Sequence, residues 1–196
     1  MNAPLRHPDH RVDPQFTGRW SPRAFTEESL SEPQVLALLE AARWAPSAIN
    51  AQPWRFAWAL RGTEAFDAIH DSLVPGNQPW AGKAAALVAV ASATTRTGQD
   101  GALVPHASHA FDTGAAWANL ALQAHLAGLA AHAMGGFDPA RLAAATGLPE
   151  GHVLHAVVAV GRPGAADLLP EPYRGRETPS GRKPLSEIAG RGQFPA

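Results

Sequence analysis

Apolar residues recur at a helical period and then at a strand period several times along the chain. Val35, Leu38, Leu39 and Ala42 fall three and four apart and predict an amphipathic helix. Ser31 with Gln34 offers that helix a capping box, Pro33 suits its first turn, and Pro46 ends it. Residues 55–60 read as a short strand, and Thr63 can cap a helix that runs to about residue 73. Residues 84–91, with Leu87, Val88 and Val90, are apolar without a break and predict a strand buried on both faces.

Residues 94–108 are polar and contain glycine, and are read as a loop. The helix predicted over 110–126 is apolar nearly all round, with only Asn119, Gln123 and His125 as polar interruptions. Such a helix belongs in a core or at a subunit interface, where Trp117 would pack. Gly128 suits its end, and residues 129–134 form a further short strand. Phe137, Asp138, Pro139 and Leu142 supply a staple, an N-cap and an N1 proline for a helix that Gly147 ends. Residues 153–160, VLHAVVAV, complete the strand set. Residues 1–17 read as a loose arm and 18–161 as the folded domain. Residues 162–196, with Pro163, Pro170, Pro172, Pro179 and Pro184, read as an extended C-terminal arm. The mixture is α+β rather than regularly alternating.

Composition narrows the function classes. The chain has 196 residues, 45% of them apolar and 17% charged, which fits one globular domain with arms. A net charge of -1 supplies no global field for nucleic acid or an anionic membrane. The absence of cysteine removes disulfides, thiolate metal sites and a cysteine nucleophile, and suits a cytoplasmic protein. No signal peptide is read in the first 30 residues, and no stretch reads as a membrane span.

Candidate chemistry is concentrated in a few stretches. No G-x-G-x-x-G is present, and GNQPWAGK over 76–83 misses the P-loop spacing and is read as a turn before a strand. Arg19-Trp20-Ser21-Pro22-Arg23 places two guanidiniums about a hydroxyl, a set that binds phosphate; an exposed basic turn would have the same composition. In the loop 46–53, Pro46 and Pro53 stiffen the chain, while Asn50 and Gln52 each carry a donor and an acceptor suited to a heteroaromatic edge. A structural turn with Trp44 and Trp54 in the core is the other reading. His106 and His109 lie at i, i+3 without a third ligand, so no metal is expected, and they line a substrate mouth or simply a surface loop. Trp80 and Phe111 line a pocket or pack, whereas His125, His132 and His155 sit in apolar segments and read as structural.

RWSPRAF, ARWAPSAINAQPWRF, NLALQAHLAGLAAHAMGGFDPARL, GLPEGHVLHAVVAVGRP and RKPLSEI, in that order over residues 19 to about 188, resemble the nitroreductase family of flavin mononucleotide (FMN) enzymes. The resemblance implies a nitroreductase-like α+β fold. Its mostly antiparallel central sheet would be flanked by helices, and its C-terminal arm exchanged across a homodimer. It implies that Arg19 and Ser21, within the segment that includes Trp20, hold the FMN phosphate, with Arg23 nearer the ribityl and pyrimidine side. It also places Pro46, Ser47, Asn50 and Gln52 along the flavin, and the turn Met134-Gly135-Gly136 with a backbone amide facing flavin N5. Arg182 returns to the phosphate in the same scheme. No protein group need be catalytic, since the flavin carries the chemistry: NADH or NADPH reduces it, and a nitroaromatic, quinone or similar small acceptor reoxidises it by ping-pong kinetics. An FMN-dependent oxidase or dehydrogenase of one metabolite, or a flavin-binding module without turnover, are the alternatives.

Overall fold

The computed structural model describes residues 6–195. Along the chain these form α1 (Pro14–Gly18), α2 (Glu32–Arg43), β1 (Trp54–Leu60), α3 (Glu64–Asp71), α4 (Gln78–Ala81) and β2 (Ala86–Ala93). There follow β3 (Thr95–Thr97), β4 (Leu103–Pro105), α5 (His109–Leu126), β5 (Ala130–Met134), α6 (Pro139–Thr146), β6 (His152–Gly161) and α7 (Glu171–Arg174). The main sheet has the order β1-β2-β6-β5, and every neighbouring pair is antiparallel.

Strand periodicity divides the core in two. Val88, Val90, Val158 and Val160 face α2 and α5, where they meet Leu38, Ala116 and Leu120. Leu87, Ala89, Val157 and Ala159 face the opposite way, toward Phe66 and Ile69 of α3, Trp80 of α4 and Leu142 of α6. Because β2 and β6 are central and covered on both faces, they read as unbroken apolar runs rather than alternating ones. The fold is thus α+β, an antiparallel four-stranded sheet flanked by helices.

Local signals explain the helix ends. The Gln34 side chain accepts from the Ser31 backbone N–H at 2.8 Å and from its hydroxyl at 3.0 Å. Thr63 accepts from the Phe66 amide, and Asp138 accepts from the amides of Ala140 and Arg141. Gly147 ends α6 at φ 60, a left-handed geometry that glycine adopts without side-chain cost.

Four expectations need correction. The residues 6–17 of the presumed loose arm are partly ordered: Asp13 caps α1, and Arg6 donates to the carbonyls of Thr17 and Arg19. Residues 1–5 of that arm lie outside the described residues. The 94–108 segment is not a plain loop, since β3 and β4 pair antiparallel within it. Residues 78–81 form a short helix where a turn was expected. The C-terminal segment is not uniformly extended, because it contains α7 and folds in part onto its own chain. Leu169 is buried, Tyr173 donates to the Gly76 carbonyl, and Pro163 bridges to Phe25.

Candidate functional site

Residues 19–24 leave α1 and pass beside β5 at His132. Each step of this path is pinned. Arg6 holds the Arg19 carbonyl at 2.8 Å, His132 of β5 bonds the Pro22 carbonyl at 3.0 Å, and the Gly164 amide donates to the Ala24 carbonyl at 2.8 Å. Glu177 then straps the C-terminal segment down, its Oε1 accepting from the amides of Arg23 at 2.7 Å and Ala24 at 2.8 Å.

The result is a cleft of about 340 Å³ lined by Arg19, Trp20, Ser21, Arg23, His132, Arg176, Thr178, Ser180 and Arg182. It contains four guanidiniums and three hydroxyls, and no carboxylate lines it. None of the four arginines takes part in an ion pair among the described residues. Burial lowers the Arg19 pKa, and repulsion from Arg182 and Arg6 adds to the effect. Burial likewise lowers the His132 pKa; its bond to the Pro22 carbonyl opposes that, and the nearby Arg23 charge reinforces it. The Glu177 carboxylate sits beside these four cations on the amides of Arg23 and Ala24. The positive charge in excess of it is relieved by a polyanion, for which guanidinium forks match phosphate oxygens.

Arg23 lies 5.8 Å over the Trp80 ring, and His132 is tilted against the same ring at 4.7 Å. Trp80 is itself buried and packs beneath the cleft as core. Beside the cleft, Arg19 and Ser21 face an apolar stretch made by Trp117, Ala118, Ala121 and Leu122 of α5 with Ala133 of β5.

At the end of β5 the two glycines differ. A Cβ at Gly136 would lie 2.8 Å from Val74 Cγ2 and 2.9 Å from Asn77 Nδ2, so both side chains would have to shift to admit one. A Cβ at Gly135 would meet nothing within 4 Å, which leaves its backbone open to a ligand. Met134 is buried and registers against Val157.

The loop 46–52 has a different character. Ile49, Asn50 and Gln52 all adopt positive φ, at 51, 57 and 48. Such backbone is uncommon outside glycine and strained for a β-branched residue such as Ile49. Ser47 accepts from the Gln52 amide, and Gln52 donates to the Asn50 carbonyl. The Ala48 amide donates to Asp112 of α5 at 3.1 Å. Trp54 is buried, but Trp44 is 72% exposed, so only one of the two indoles enters the core. The clefts described here do not join the loop to Arg19: Ala48 is tied to Asp112 in the first turn of α5, whereas Arg19 and Ser21 face Trp117, Ala118, Ala121 and Leu122, about 8–15 Å further along the helix at 1.5 Å per residue.

The expected substrate-side residues separate in the same way. His106 is buried and pairs with Asp112 at 3.2 Å. His109 bonds the buried Ser92 hydroxyl at 2.7 Å, which His155 meets at 2.7 Å from the other side. Phe111 is 83% exposed. Among the described residues no group of three His, Cys, Asp or Glu could hold a metal ion. No helix among them is long and apolar enough to cross a membrane.

Arg176, Thr178 and His132 belong to the cleft but were not singled out from sequence. His132 read as structural because its neighbours in β5 are apolar, and Arg176 is one of several arginines in a tail without periodicity.

Comparison with known proteins bears on the family and the fold. The family model "Nitroreductase family" matches residues 16–74 and 61–162. The chain is 33% identical over 167 residues to a Streptomyces coelicolor protein named "Putative NADH dehydrogenase/NAD(P)H nitroreductase", covering 76% of this chain and 84% of that one. It superposes with a TM-score of 0.94 on a crystal structure described as "the oxidoreductase containing FMN", at 42% identity, covering 99% of this chain and 98% of the other. A Desulfovibrio desulfuricans structure described as "a putative nitroreductase in complex with fmn" gives a TM-score of 0.72 at 26% identity, covering 94% of this chain and 100% of the other. On the family model over most of its length and these relatives, the chain belongs to the nitroreductase family.

Proposed function

We propose that the protein is an FMN-dependent oxidoreductase that draws electrons from NADH or NADPH and delivers them to a small electron-poor acceptor, such as a nitroaromatic or a quinone. The observation that carries this reading is the cleft where Arg19, Arg23, Arg176 and Arg182 converge with Ser21 and Thr178 and no carboxylate. Its chemistry fits the dianionic phosphate of FMN. The apolar stretch beside it, from Trp117 to Leu122, suits a flat ring. The 42%-identical structure is described as containing FMN, and the Streptomyces coelicolor relative is named for NAD(P)H.

Bound FMN supplies the hydride-accepting and hydride-donating chemistry, so no acidic, basic or nucleophilic side chain need react. Arg19, Arg182 and Ser21, which line the cleft together, would hold the phosphate. Arg23, set over Trp80, would supply a cation near the bound ring system and so would favour the reduced, more negatively charged flavin. Gly135 lets a backbone N–H approach the ring closely. Asn50 and Gln52 present amides along the cofactor.

The separation of the amide loop from the arginine cleft supports a homodimer whose two sites each draw on both chains. Trp44, Ile49, Phe111 and Leu126 are large apolar side chains left exposed in the single chain, as an interface would require. Residues 176–185 stay on their own chain, with Glu177 on the amides of Arg23 and Ala24 and the Leu185 amide on Asp9, so the residues after them are the ones that would reach across that interface.

The test is to purify the protein, identify any released flavin by chromatography, and follow NADH and NADPH oxidation with nitroaromatic and quinone acceptors. FMN in the extract and parallel double-reciprocal lines are expected. Protein that stays colourless after incubation with excess FMN overturns the reading. Bound flavin that neither nicotinamide reduces would favour a metabolite oxidase or a binding module instead.

A further inference from the structure

Asp112 stands out among the buried polar groups that the proposed chemistry does not use. It lies in the first turn of α5 and is 3% exposed. Its Oδ2 receives three contacts: the Ala48 amide at 3.1 Å, the Ser108 hydroxyl at 3.1 Å and His106 Nε2 at 3.2 Å. His106 is likewise buried; its Nε2 also meets the Ser108 hydroxyl at 3.0 Å, which commits that nitrogen to the cluster, and its Nδ1 has no partner among the described residues. A buried carboxylate is retained only with such compensation, which the helix N-terminus augments.

What Asp112 grips is the strained loop. The other hydrogen bonds made by residues 46–51 stay within the segment 46–52, from Asn50 and Ala51 to the carbonyls of Ser47 and Ala48 and from Gln52 to Ser47 and Asn50. The Ala48–Asp112 bond is therefore the one that ties residues 46–51 to another element among the described residues. Ile49, Asn50 and Gln52 occupy left-handed backbone immediately after it. Strained backbone persists only where surrounding structure over-determines it. Neither proline supplies this restraint: Pro46 precedes the run, and Pro53 biases the preceding Gln52 toward extended backbone rather than the left-handed geometry it has.

We propose that Asp112 is the positioning residue of the cofactor loop, its carboxylate holding Ala48 so that the left-handed run presents Asn50 to the flavin. The inference rests on the FMN reading given above. His106 and Ser108 keep the carboxylate in place from the β4–α5 connection, so the same group joins that connection to the loop. Asp112 touches neither phosphate nor ring in this account; it acts through the backbone of residue 48.

Two variants and two readouts test the proposal. Asp112→Ala removes the acceptor. Ala48→Pro removes the donor instead and leaves the buried pair with His106 whole, at a position where the preceding Ser47 already has the extended backbone that proline demands (φ -144, ψ 151). Hydrogen exchange of the full-length protein reports on the loop, and titration with FMN and with riboflavin reports on the site. Both variants should expose the amides of residues 49–52 to exchange at least tenfold faster. Both should weaken FMN and riboflavin by the same factor, roughly tenfold, because the phosphate contacts are untouched. Should Asp112→Ala fail to fold, Ala48→Pro decides the matter alone. Loop exchange and flavin affinity both unchanged in the folded variants overturn the latch, while wild-type protein that binds no FMN overturns the functional reading and the latch's role with it. A loss confined to FMN and not seen with riboflavin also counts against the latch.

Discussion

Residues 19–24 and residues 46–52 both carry polar groups toward the candidate site, yet the first stretch is braced from three directions and the second from one. The N-terminal Arg6, His132 of β5 and Glu177 of the C-terminal segment each bond the backbone of 19–24. The loop 46–51 has one such tie, from Ala48 to Asp112, and the backbone it restrains is strained. The difference follows from what each must do. Holding a phosphate requires several like charges close together, and their repulsion must be resisted by a firm scaffold before the anion arrives. Contacting a ring through amides requires orientation, which a short loop in an unusual conformation provides.

The largest expected effect lies on the braced side. Arg19→Ala should weaken FMN binding by about 10- to 100-fold, the worth of a charge-assisted hydrogen bond, with little change in melting temperature. Equal affinity in a titration would remove Arg19 from the site and leave the comparison without its charged half.

The two glycines after β5 sharpen the contrast between fold and site. Gly136→Ala should destabilise the protein by about 1–3 kcal/mol, because Val74 is β-branched and cannot swing away freely. Gly135→Ala should leave denaturant stability within about 0.5 kcal/mol and shift the flavin potential or its reduction rate. Melts and potentiometry on the pair should separate the two roles; a reversal of their order would contradict the geometry.

On the strained side, Asn50→Ala should lower flavin affinity about fivefold, since alanine tolerates left-handed backbone less well than asparagine and lacks the amide. A variant indistinguishable from wild type in flavin titration would end that assignment.

The smallest effect is on pH dependence. Burial depresses the His132 pKa from its ordinary value of 6.5, so the unfolded chain binds this proton more readily than the folded one. Stability of the flavin-free protein should therefore fall as pH drops below about 6.5 and recover as pH rises through that window. His155, also depressed by burial and by His109, contributes with the same sign. His132→Gln should flatten part of the slope in thermal melts, and bound FMN should flatten it too by favouring the imidazolium.

How much of this was legible in sequence depended on distance along the chain. Helices α2, α3 and α6 announce themselves because Ser31, Thr63 and Asp138 cap within three residues. Strands β2 and β6 show as long apolar runs because both faces are covered. The hairpin of β3 and β4 does not, since three residues per strand are too few to establish a period. Arg19 and Ser21 could be found because they are adjacent, and charge in a short motif is visible. Their partners Arg176 and His132 could not, as each arrives from a separate element more than a hundred residues away. The loop drew attention through its prolines, but the group that restrains it, Asp112, is 64 positions distant and reads locally as an ordinary acidic residue in a first helical turn.

The central claim is that the arginine cleft holds the phosphate of FMN. Titrating the flavin-free protein with FMN and with riboflavin, which differ only in that phosphate, tests it most directly. The account predicts that FMN binds on the order of 100-fold more tightly and that Arg19→Ala with Arg182→Ala erases most of the advantage. Equal affinity for the two flavins would contradict it.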